Sequence, residues 1–135
     1  MRVTSYLVAL LLLPASAFSQ EALPEGVTET TIDEGRALYM GTGICFACHG
    51  TDGRGVPGAG PDLTDDEWWN IDLDFAELLR VIRQGVAADQ SRTGAYMPPK
   101  GGSQITDEQV AAVAAYVWSL SRTGSGPTTP PGTNP

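Results

Sequence analysis

The sequence predicts an all-α protein in which a few helices and long loops wrap around an insert. Several stretches carry helix signals, and no convincing stretch alternates apolar and polar residues as a half-buried strand does. The connections over residues 50–63 and 86–105 are long for a small domain, and such loops are usually functional or folded around something. With 16 glycines, 10 prolines and few large apolar side chains, the core is thin, which favours a staple or a bulky cofactor.

About four helices are predicted, each from a start signal followed by apolar residues. The start signals are Thr31 with Glu34, Thr64 with Glu67, Asp74, and Thr106 with Gln109. A hydroxyl or carboxylate at such a position satisfies the first free N–H groups of a helix. Glycines at 41 and 43 end the first helix, and Gly85 can end the third by adopting a positive φ. The last helix is the clearest, because its apolar residues recur at spacings of three and four: Val110, Val113, Val117 and Leu120.

Both ends of the chain are predicted to lie outside the domain. Residues 1–19 begin with a basic residue, continue with a short apolar run and end in small residues, which is typical of a cleaved secretory signal peptide. A retained anchor helix is the alternative, although the apolar run is short for crossing a bilayer. Residues 20–30 are then an N-terminal extension, 31–122 the folded domain, and 123–135 a disordered tail rich in Pro, Gly and Thr.

The chain is acidic, with a formal charge of −8 that becomes one unit more negative once the predicted signal leaves with Arg2. This balance argues against a nucleic-acid surface and against binding to anionic membranes. It favours a soluble monomer that docks on a basic or neutral patch of a partner protein, without stable membrane insertion.

Cys45, Cys48 and His49 form a Cys-x-x-Cys-His motif, the signature of covalent haem attachment. Thiols at this spacing reach both haem vinyl groups and form thioethers, and the histidine that follows ligates the iron. A structural zinc site needs four ligands, but the chain has two Cys and one His. A thioredoxin-like pair needs a βαβ setting, which the pattern lacks, and a plain disulfide remains an alternative. Export supports one covalent haem c, because bacteria attach it outside the cytoplasmic membrane.

Met97 is the predicted second ligand of the iron. There is no second His, Met1 would leave with the signal, and Met40 lies a few residues before the cysteine pair, on the side of the haem that His49 would occupy. Met97 follows a long loop and precedes two prolines, which stiffen the backbone. The alternative is a surface or core-filling methionine. With both axial positions filled, we expect a one-electron carrier and not an enzyme, whereas a labile Met97 would leave a gas-binding or peroxide-reactive haem protein.

In this order the features resemble class I cytochromes c over essentially the whole predicted domain. The resemblance is carried by Gly35 with Tyr39, the motif from Cys45 to Gly50, the run from Gly60 to Leu63, Met97 with Pro98, and Tyr116 in the last helix. It implies a small cytochrome c fold in which the first and last helices cross closely at Gly35. It also implies that the carbonyl of Pro61 accepts a hydrogen bond from the axial imidazole, and that Leu63 packs on the haem.

The segment from Pro61 to Trp68 is most similar to haem domains of high-affinity haem-copper oxidase subunits and of electron acceptors of periplasmic dehydrogenases. We expect Trp68 or Trp69 to line the haem edge, with core packing as the alternative. We expect Arg83, or Arg80, to bind haem propionates, with a solvated helix face as the alternative.

The expected function is that of a soluble periplasmic carrier between a respiratory or dehydrogenase donor and an oxidase or other acceptor. A fixed module of a larger complex is the alternative. The chain has one lysine, unlike the lysine-ringed mitochondrial-type cytochromes, so their partners are not carried over.

Overall fold

The computed structural model of the chain describes residues 23–65, 67, 68, 71 and 74–123. The predicted signal peptide, the start of the predicted extension, Trp69 and residues 124–135 of the predicted tail lie outside the described residues. The four described helices are α1, Glu29–Met40; α2, Phe46–His49; α3, Phe75–Gln84; and α4, Asp107–Thr123. A 3₁₀ turn covers Pro99–Gly102.

Extended pairing within these described ranges is limited to two isolated antiparallel bridges, Val56 with Gly60 and Val86 with Met97. The all-α prediction is therefore confirmed, although the four helices are not the four that the sequence predicted.

Helix α1 begins earlier than predicted. Its N-cap is Thr28, whose hydroxyl accepts a hydrogen bond from the N–H of Thr31 at 3.2 Å. The hydroxyl of Thr31 in turn accepts from the N–H of Thr28 at 2.8 Å. The predicted start at Thr31 with Glu34 is therefore wrong, because a second threonine supplies the reciprocal bond that a Glu or Gln usually provides.

The helix predicted from Thr64 is absent from the described part of that segment. The carboxylate of Asp62 accepts from the N–H and the hydroxyl of Thr64, both at 2.7 Å. The carboxylate of Asp65 accepts from the N–H of Glu67 at 3.2 Å. Such side-chain bonds offer the backbone donors an alternative to a helical turn. The fourth helix of the structure is instead α2, a single turn that the sequence did not predict.

The starts of α3 and α4 are as predicted. The Asp74 carboxylate accepts from the N–H of Ala76 at 2.8 Å, and Gly85 ends α3 with a φ of 75°. Thr106 and Gln109 form the expected reciprocal pair, with bonds of 3.3 and 2.9 Å.

Helix α4 is the central element of the core and packs against both α1 and α3. Where it crosses α1, a Cβ on Gly35 would overlap the backbone carbonyl of Ala112 and lie 2.9 Å from the Cβ of Tyr116. One turn further along α1, the fully buried ring of Tyr39 meets Tyr116 edge-on at 5.2 Å. The close crossing expected at Gly35 is confirmed. It fixes the end of α1, from which the chain turns into α2.

Candidate haem site

An open cavity is lined by all four helices and both long loops. It encloses about 1230 Å³, its mouth included, and its walls are mainly apolar. The predicted site residues that line it are Cys45, Cys48, His49, Pro61, Leu63, Trp68 and Met97. The cavity therefore brings together residues from three distant parts of the sequence, and a mainly apolar wall with a few polar groups is what a bulky cofactor requires.

Helix α2 and its N-cap residue, Cys45, place two thiols and the imidazole of His49 on one face. They stand at positions i, i+3 and i+4, which are neighbours on a helix surface, and the N–H groups of Cys48 and His49 both donate to the Cys45 carbonyl, at 3.2 and 3.0 Å. Cys45 is half-buried and Cys48 exposed, and both are free thiols. Burial raises the pKa of Cys45 to about 11. One turn of helix thus presents two thiols and an imidazole to the same cavity.

The ring of His49 is oriented by Pro61. Nδ1 of His49 lies 3.0 Å from the carbonyl oxygen of Pro61, which is the hydrogen bond that the resemblance implied. A carbonyl oxygen can only accept, so Nδ1 carries the proton and Nε2 keeps its lone pair. Burial lowers the pKa of His49 and so favours this neutral form. The approach needs a glycine at Gly60, where a Cβ would lie 2.7 Å from the carbonyl oxygen of Cys48.

Met97 is held by backbone contacts that the sequence does not reveal. Its N–H donates to the Val86 carbonyl at 2.9 Å, and its carbonyl accepts from the N–H of Val86 at 2.8 Å. Gly85 permits this pairing, because a Cβ there would overlap the Met97 carbonyl. On the other side, Lys100 Nζ donates to the Ile105 carbonyl at 2.9 Å and lies 2.9 Å from Asp107 Oδ1. The loop that carries Met97 is therefore fixed on both sides.

Leu63 and Trp68 line the cavity and also pack against the core. The N–H of Leu63 donates to the Gly53 carbonyl at 2.7 Å. Trp68 Nε1 donates to the Asp65 carbonyl at 3.2 Å, and its ring meets Trp118 edge-on at 5.9 Å. Cavity lining and core packing, which the sequence offered as alternatives for Trp68, are both present.

The arginine at the cavity is not one that the sequence proposed. Helix α3 turns Leu78, Val81 and Ile82 toward the cavity, and neither Arg83 nor Arg80 is among its lining residues. Arg80 pairs with Glu77 on the exposed face of the helix at 2.8 Å.

Arg92 in the second long loop lines the cavity instead, and its Nη1 lies 2.8 Å from Glu67 Oε2. No periodic pattern marks a loop residue of this kind, so no signal in the sequence could have found it.

Tyr39, Ile44 and Tyr96 are among the further lining residues that were not proposed as site residues. The Tyr39 hydroxyl donates to the Gly50 carbonyl at 2.7 Å, and burial raises the pKa of this phenol above its usual range. Tyr39 was visible in the sequence as a partner of Gly35. Tyr96, directly before Met97, is 62% exposed and stands in an irregular loop.

Two other kinds of site are absent from the described ranges. These residues contain no group of three or more His, Cys, Asp or Glu side chains that could hold a metal ion. None of their helices combines the length and apolarity needed to cross a bilayer.

The fold, the thiol pair and the following histidine define the class of c-type cytochrome domains. Residues 30–117 match the family model described as "Cytochrome C oxidase, cbb3-type, subunit III", and the chain belongs to this family. Domains of this class carry haem c, transfer electrons and are normally periplasmic or exported. The resemblance read from the sequence is confirmed.

Similar proteins include oxidase subunits and small cytochromes. The chain is 39% identical over 85 residues to the cbb3-type cytochrome c oxidase subunit FixPc of Rhizobium leguminosarum bv. viciae, across 62% of this chain and 29% of that subunit. It is 34% identical over 74 residues to cytochrome c-554(548) of Halomonas halodenitrificans, across 55% of this chain and 81% of that protein.

Among solved structures, cytochrome CL of Methylophaga aminisulfidivorans MPT matches with a TM-score of 0.51 and 25% identity, across 67% of this chain and 55% of that one. The chain spans 29% and 28% of the length of two of the oxidase subunits that it matches.

Proposed function

We propose that the chain is a periplasmic one-electron carrier in which one haem c is bound covalently through Cys45 and Cys48 and ligated by His49 and Met97. The observation that carries the proposal is the meeting of two thiols, an imidazole with a free Nε2 and a thioether at one mainly apolar cavity. This donor set suits haem c, because the two thiols would hold the group through its vinyl carbons, and the imidazole nitrogen and the thioether sulfur would ligate its iron.

The residues of the cavity fit haem c, which supplies an iron centre that gains or loses one electron when bound. The bond to Pro61 holds the His49 ring in one orientation and raises the basicity of Nε2. The bridge to Val86 holds the backbone of Met97, so both side chains would keep their places when the bound haem gains or loses an electron. His49 and Met97 would both ligate the iron and leave no position for a substrate, so the protein would carry electrons without catalysing a reaction of its own.

The apolar wall sets the direction of the potential. Ferric haem carries one more positive charge than ferrous haem, so a dry pocket disfavours the oxidised form and raises the potential. The thioether of Met97 acts in the same direction. We infer a potential clearly above zero, suited to delivery of electrons to an oxidase or another high-potential acceptor.

Arg92 is the proposed partner of the haem propionates, in place of Arg83. Its guanidinium lines the cavity, and a planar guanidinium suits carboxylates. Removal of a positive charge near the iron stabilises ferric haem. Arg92→Gln should therefore lower the midpoint potential by about 20–60 mV, or about 0.5–1.4 kcal/mol for one electron. Arg83→Gln is the matched control and should leave the potential unchanged, and equal shifts would contradict the assignment.

A second candidate is a fixed electron-transfer module of a larger complex. It is favoured by two of the relatives, which are oxidase subunits three to four times the length of the matched segment. In that case residues 31–122 form the haem domain of an assembly. Co-purification of the tagged chain with a membrane oxidase from its native host would support the module, and recovery of the free chain would support the shuttle between a respiratory or dehydrogenase donor and its acceptor.

Covalent attachment is the most accessible part of the proposal to test. The protein is matured with haem in a bacterial periplasm, denatured in acid and analysed by mass spectrometry. The full chain should keep one haem through denaturation, and Cys45→Ala and Cys48→Ala should each keep it through a single thioether. A thiol pair that forms a disulfide, with haem lost on denaturation, would contradict the proposal. The mass also reports whether residues 1–19 are removed as a signal peptide.

A further inference from the structure

Lys100 has a backbone conformation that is unfavourable for a residue with a side chain. Its φ is 55°, whereas the next two residues, whose φ values of 64° and 82° are also positive, are glycines. A glycine at position 100 would adopt this conformation without steric cost, and another residue keeps it only where the surrounding structure holds it. The side chain of the chain's one lysine therefore contributes something that a third glycine would not.

The ammonium group of Lys100 reaches the segment that starts α4. Nζ donates to the carbonyl of Ile105 at 2.9 Å and lies 2.9 Å from Oδ1 of Asp107. We call these two contacts the Lys100 tether. Ile105 is 4% exposed and belongs to the core, so the ammonium is held on a fixed base. A cation is unfavourable at the N-terminal end of a helix, where the macrodipole is positive. The stability of α4 therefore does not explain why a lysine stands here.

The backbone of Lys100 is joined to Met97 through residues of restricted conformation. The two intervening residues are prolines, whose rings fix φ. The N–H of Gly101 donates to the carbonyl of Pro98 at 2.9 Å. The hydroxyl and the N–H of Ser103 both donate to the carbonyl of Lys100, at 2.7 and 3.1 Å. Because these bonds stiffen the turn, a displacement of Lys100 would be passed on to the backbone of Met97.

We propose that Lys100 is a positioning residue for Met97, and that the Lys100 tether keeps external ligands from the second axial position of the bound haem. The inference rests on the proposed function and adds what separates an electron carrier from a ligand-binding haem protein. The pairing of Met97 with Val86 holds the loop before the prolines, and the tether holds it after them. Without the tether, the loop is held at one end and the thioether yields more readily to a competing ligand.

The first test titrates imidazole into the oxidised, haem-loaded protein, with the sulfur-to-iron absorption band as the report of Met97. When imidazole displaces the thioether, an iron–sulfur bond breaks and an iron–nitrogen bond forms, with no change in oxidation state. Lys100→Met should bind imidazole about tenfold more tightly than the unaltered protein, because the displaced loop is populated more often. Lys100→Arg keeps a charged donor and should restore the affinity to within about threefold of the unaltered protein.

Asp107→Asn separates the position of the loop from the charge of the lysine. Lys100→Met removes a positive charge and Asp107→Asn a negative one, so a direct electrostatic effect would move the imidazole affinity in opposite directions. The tether predicts tighter binding in both variants, by about two- to fivefold for Asp107→Asn, because the pair is partly exposed and the bond to Ile105 remains. Glu108→Gln is the matched control, since Glu108 is also acidic and also lies in the first turn of α4. It should leave the affinity unchanged.

The double variant tests whether the two residues act through one contact. Lys100→Met already removes the tether, so addition of Asp107→Asn should not tighten imidazole binding further. Additive effects, or single effects of opposite sign, would overturn the proposal. Denaturant titration of the same variants identifies a merely structural lysine, since a loss of stability without a gain in imidazole affinity would also overturn it. If Lys100→Met does not mature, equal imidazole affinities of Asp107→Asn and Glu108→Gln would overturn the proposal.

The proposed function and the tether fail in different ways. Absence of the sulfur-to-iron band from the unaltered oxidised protein would contradict ligation by Met97 and overturn both. A normal band in the unaltered protein, with the same imidazole affinity in Lys100→Met, would overturn the tether alone.

Discussion

Gly85→Ala tests whether the backbone at the end of α3 positions Met97. A methyl group on Gly85 would overlap the carbonyl of Met97 and lie 2.7 Å from the carbonyl carbon of Pro98. Gly94→Ala is a matched control in the same loop, because Gly94 also has a positive φ, of 71°, but a methyl group there would meet no other part of the chain within 4 Å. Comparison of the two variants separates the cost of alanine at a positive φ, which both share, from the steric overlap with the loop that carries Met97, which only Gly85→Ala has.

The expected magnitudes follow from these contacts. Alanine at a positive φ costs about 1–2 kcal/mol, and the loss of glycine freedom in the unfolded chain returns about 0.4–1 kcal/mol. Gly94→Ala should therefore lower the free energy of unfolding by about 1 kcal/mol. At Gly85 the overlap with backbone atoms adds about 1–3 kcal/mol, so a total loss of about 2–4 kcal/mol is expected.

Two measurements on the haem-loaded protein check this expectation. Denaturant titration gives the free energies of unfolding, and the sulfur-to-iron absorption band of the oxidised protein reports ligation by Met97. Gly85→Ala should weaken the band and lower the midpoint potential, whereas Gly94→Ala should change neither. Equal losses of stability with an intact band in both variants would refute the role assigned to the contact between Gly85 and Met97.

Three further predictions concern the parts of the fold that hold the site. Gly35→Ala should lower the free energy of unfolding by about 2–4 kcal/mol in a denaturant titration, because the methyl group forces α1 away from α4; an unchanged midpoint would contradict the close crossing. Tyr39→Phe should cost about 1 kcal/mol in the same assay, because the Gly50 carbonyl loses the shorter of its two hydrogen bonds and keeps only the one from the N–H of Gly53 at 3.3 Å, whereas Tyr96→Phe, on an exposed ring, should cost nothing measurable. Burial raises the pKa of Asp65, so the folded protein binds this proton more tightly than the unfolded chain, and the contribution of Asp65 to stability falls as pH rises through the ordinary carboxyl range; Asp65→Asn should remove that contribution, and parallel pH profiles of the two proteins would refute it.

The parts of the fold that the sequence predicted are those set by local chemistry. Asp74, Gly85, Thr106 and Gln109 act on their own turns, and each has the role that its residue type suggests. The Cys-x-x-Cys-His spacing likewise needs only one turn of helix to bring its side chains to one face. Signals of this kind do not depend on what the rest of the chain does.

The errors arise where two local solutions compete. The segment before α1 offers several threonines, and the pair Thr28 and Thr31 forms the box that the pattern with a glutamate assigned one turn later. After the first long loop, Asp62 binds the backbone of Thr64 directly, which replaces the helical turn that the same residues would also permit. The sequence pattern is compatible with both hydrogen-bonding arrangements and does not show which one is more stable.

The remaining features depend on tertiary contacts. The bridge between Val86 and Met97 joins residues at the two sides of a loop, and the pair of Glu67 with Arg92 joins separate segments. Neither has a periodic signature. Arg83 does not line the cavity for a related reason, since the register of α3 decides which side chains reach it, and those are Leu78, Val81 and Ile82. Packing of α3 against α4 determines this register.

The most direct test of the central claim is a redox titration of the visible spectrum of the chain after haem maturation in a bacterial periplasm. Ligation by His49 and Met97 predicts a six-coordinate low-spin spectrum, a sulfur-to-iron band in the oxidised form that Met97→Leu abolishes, and a clearly positive midpoint potential. A high-spin spectrum, or a strongly negative potential with ready binding of carbon monoxide to the reduced protein, would contradict the account and indicate a gas-binding or peroxide-reactive haem protein.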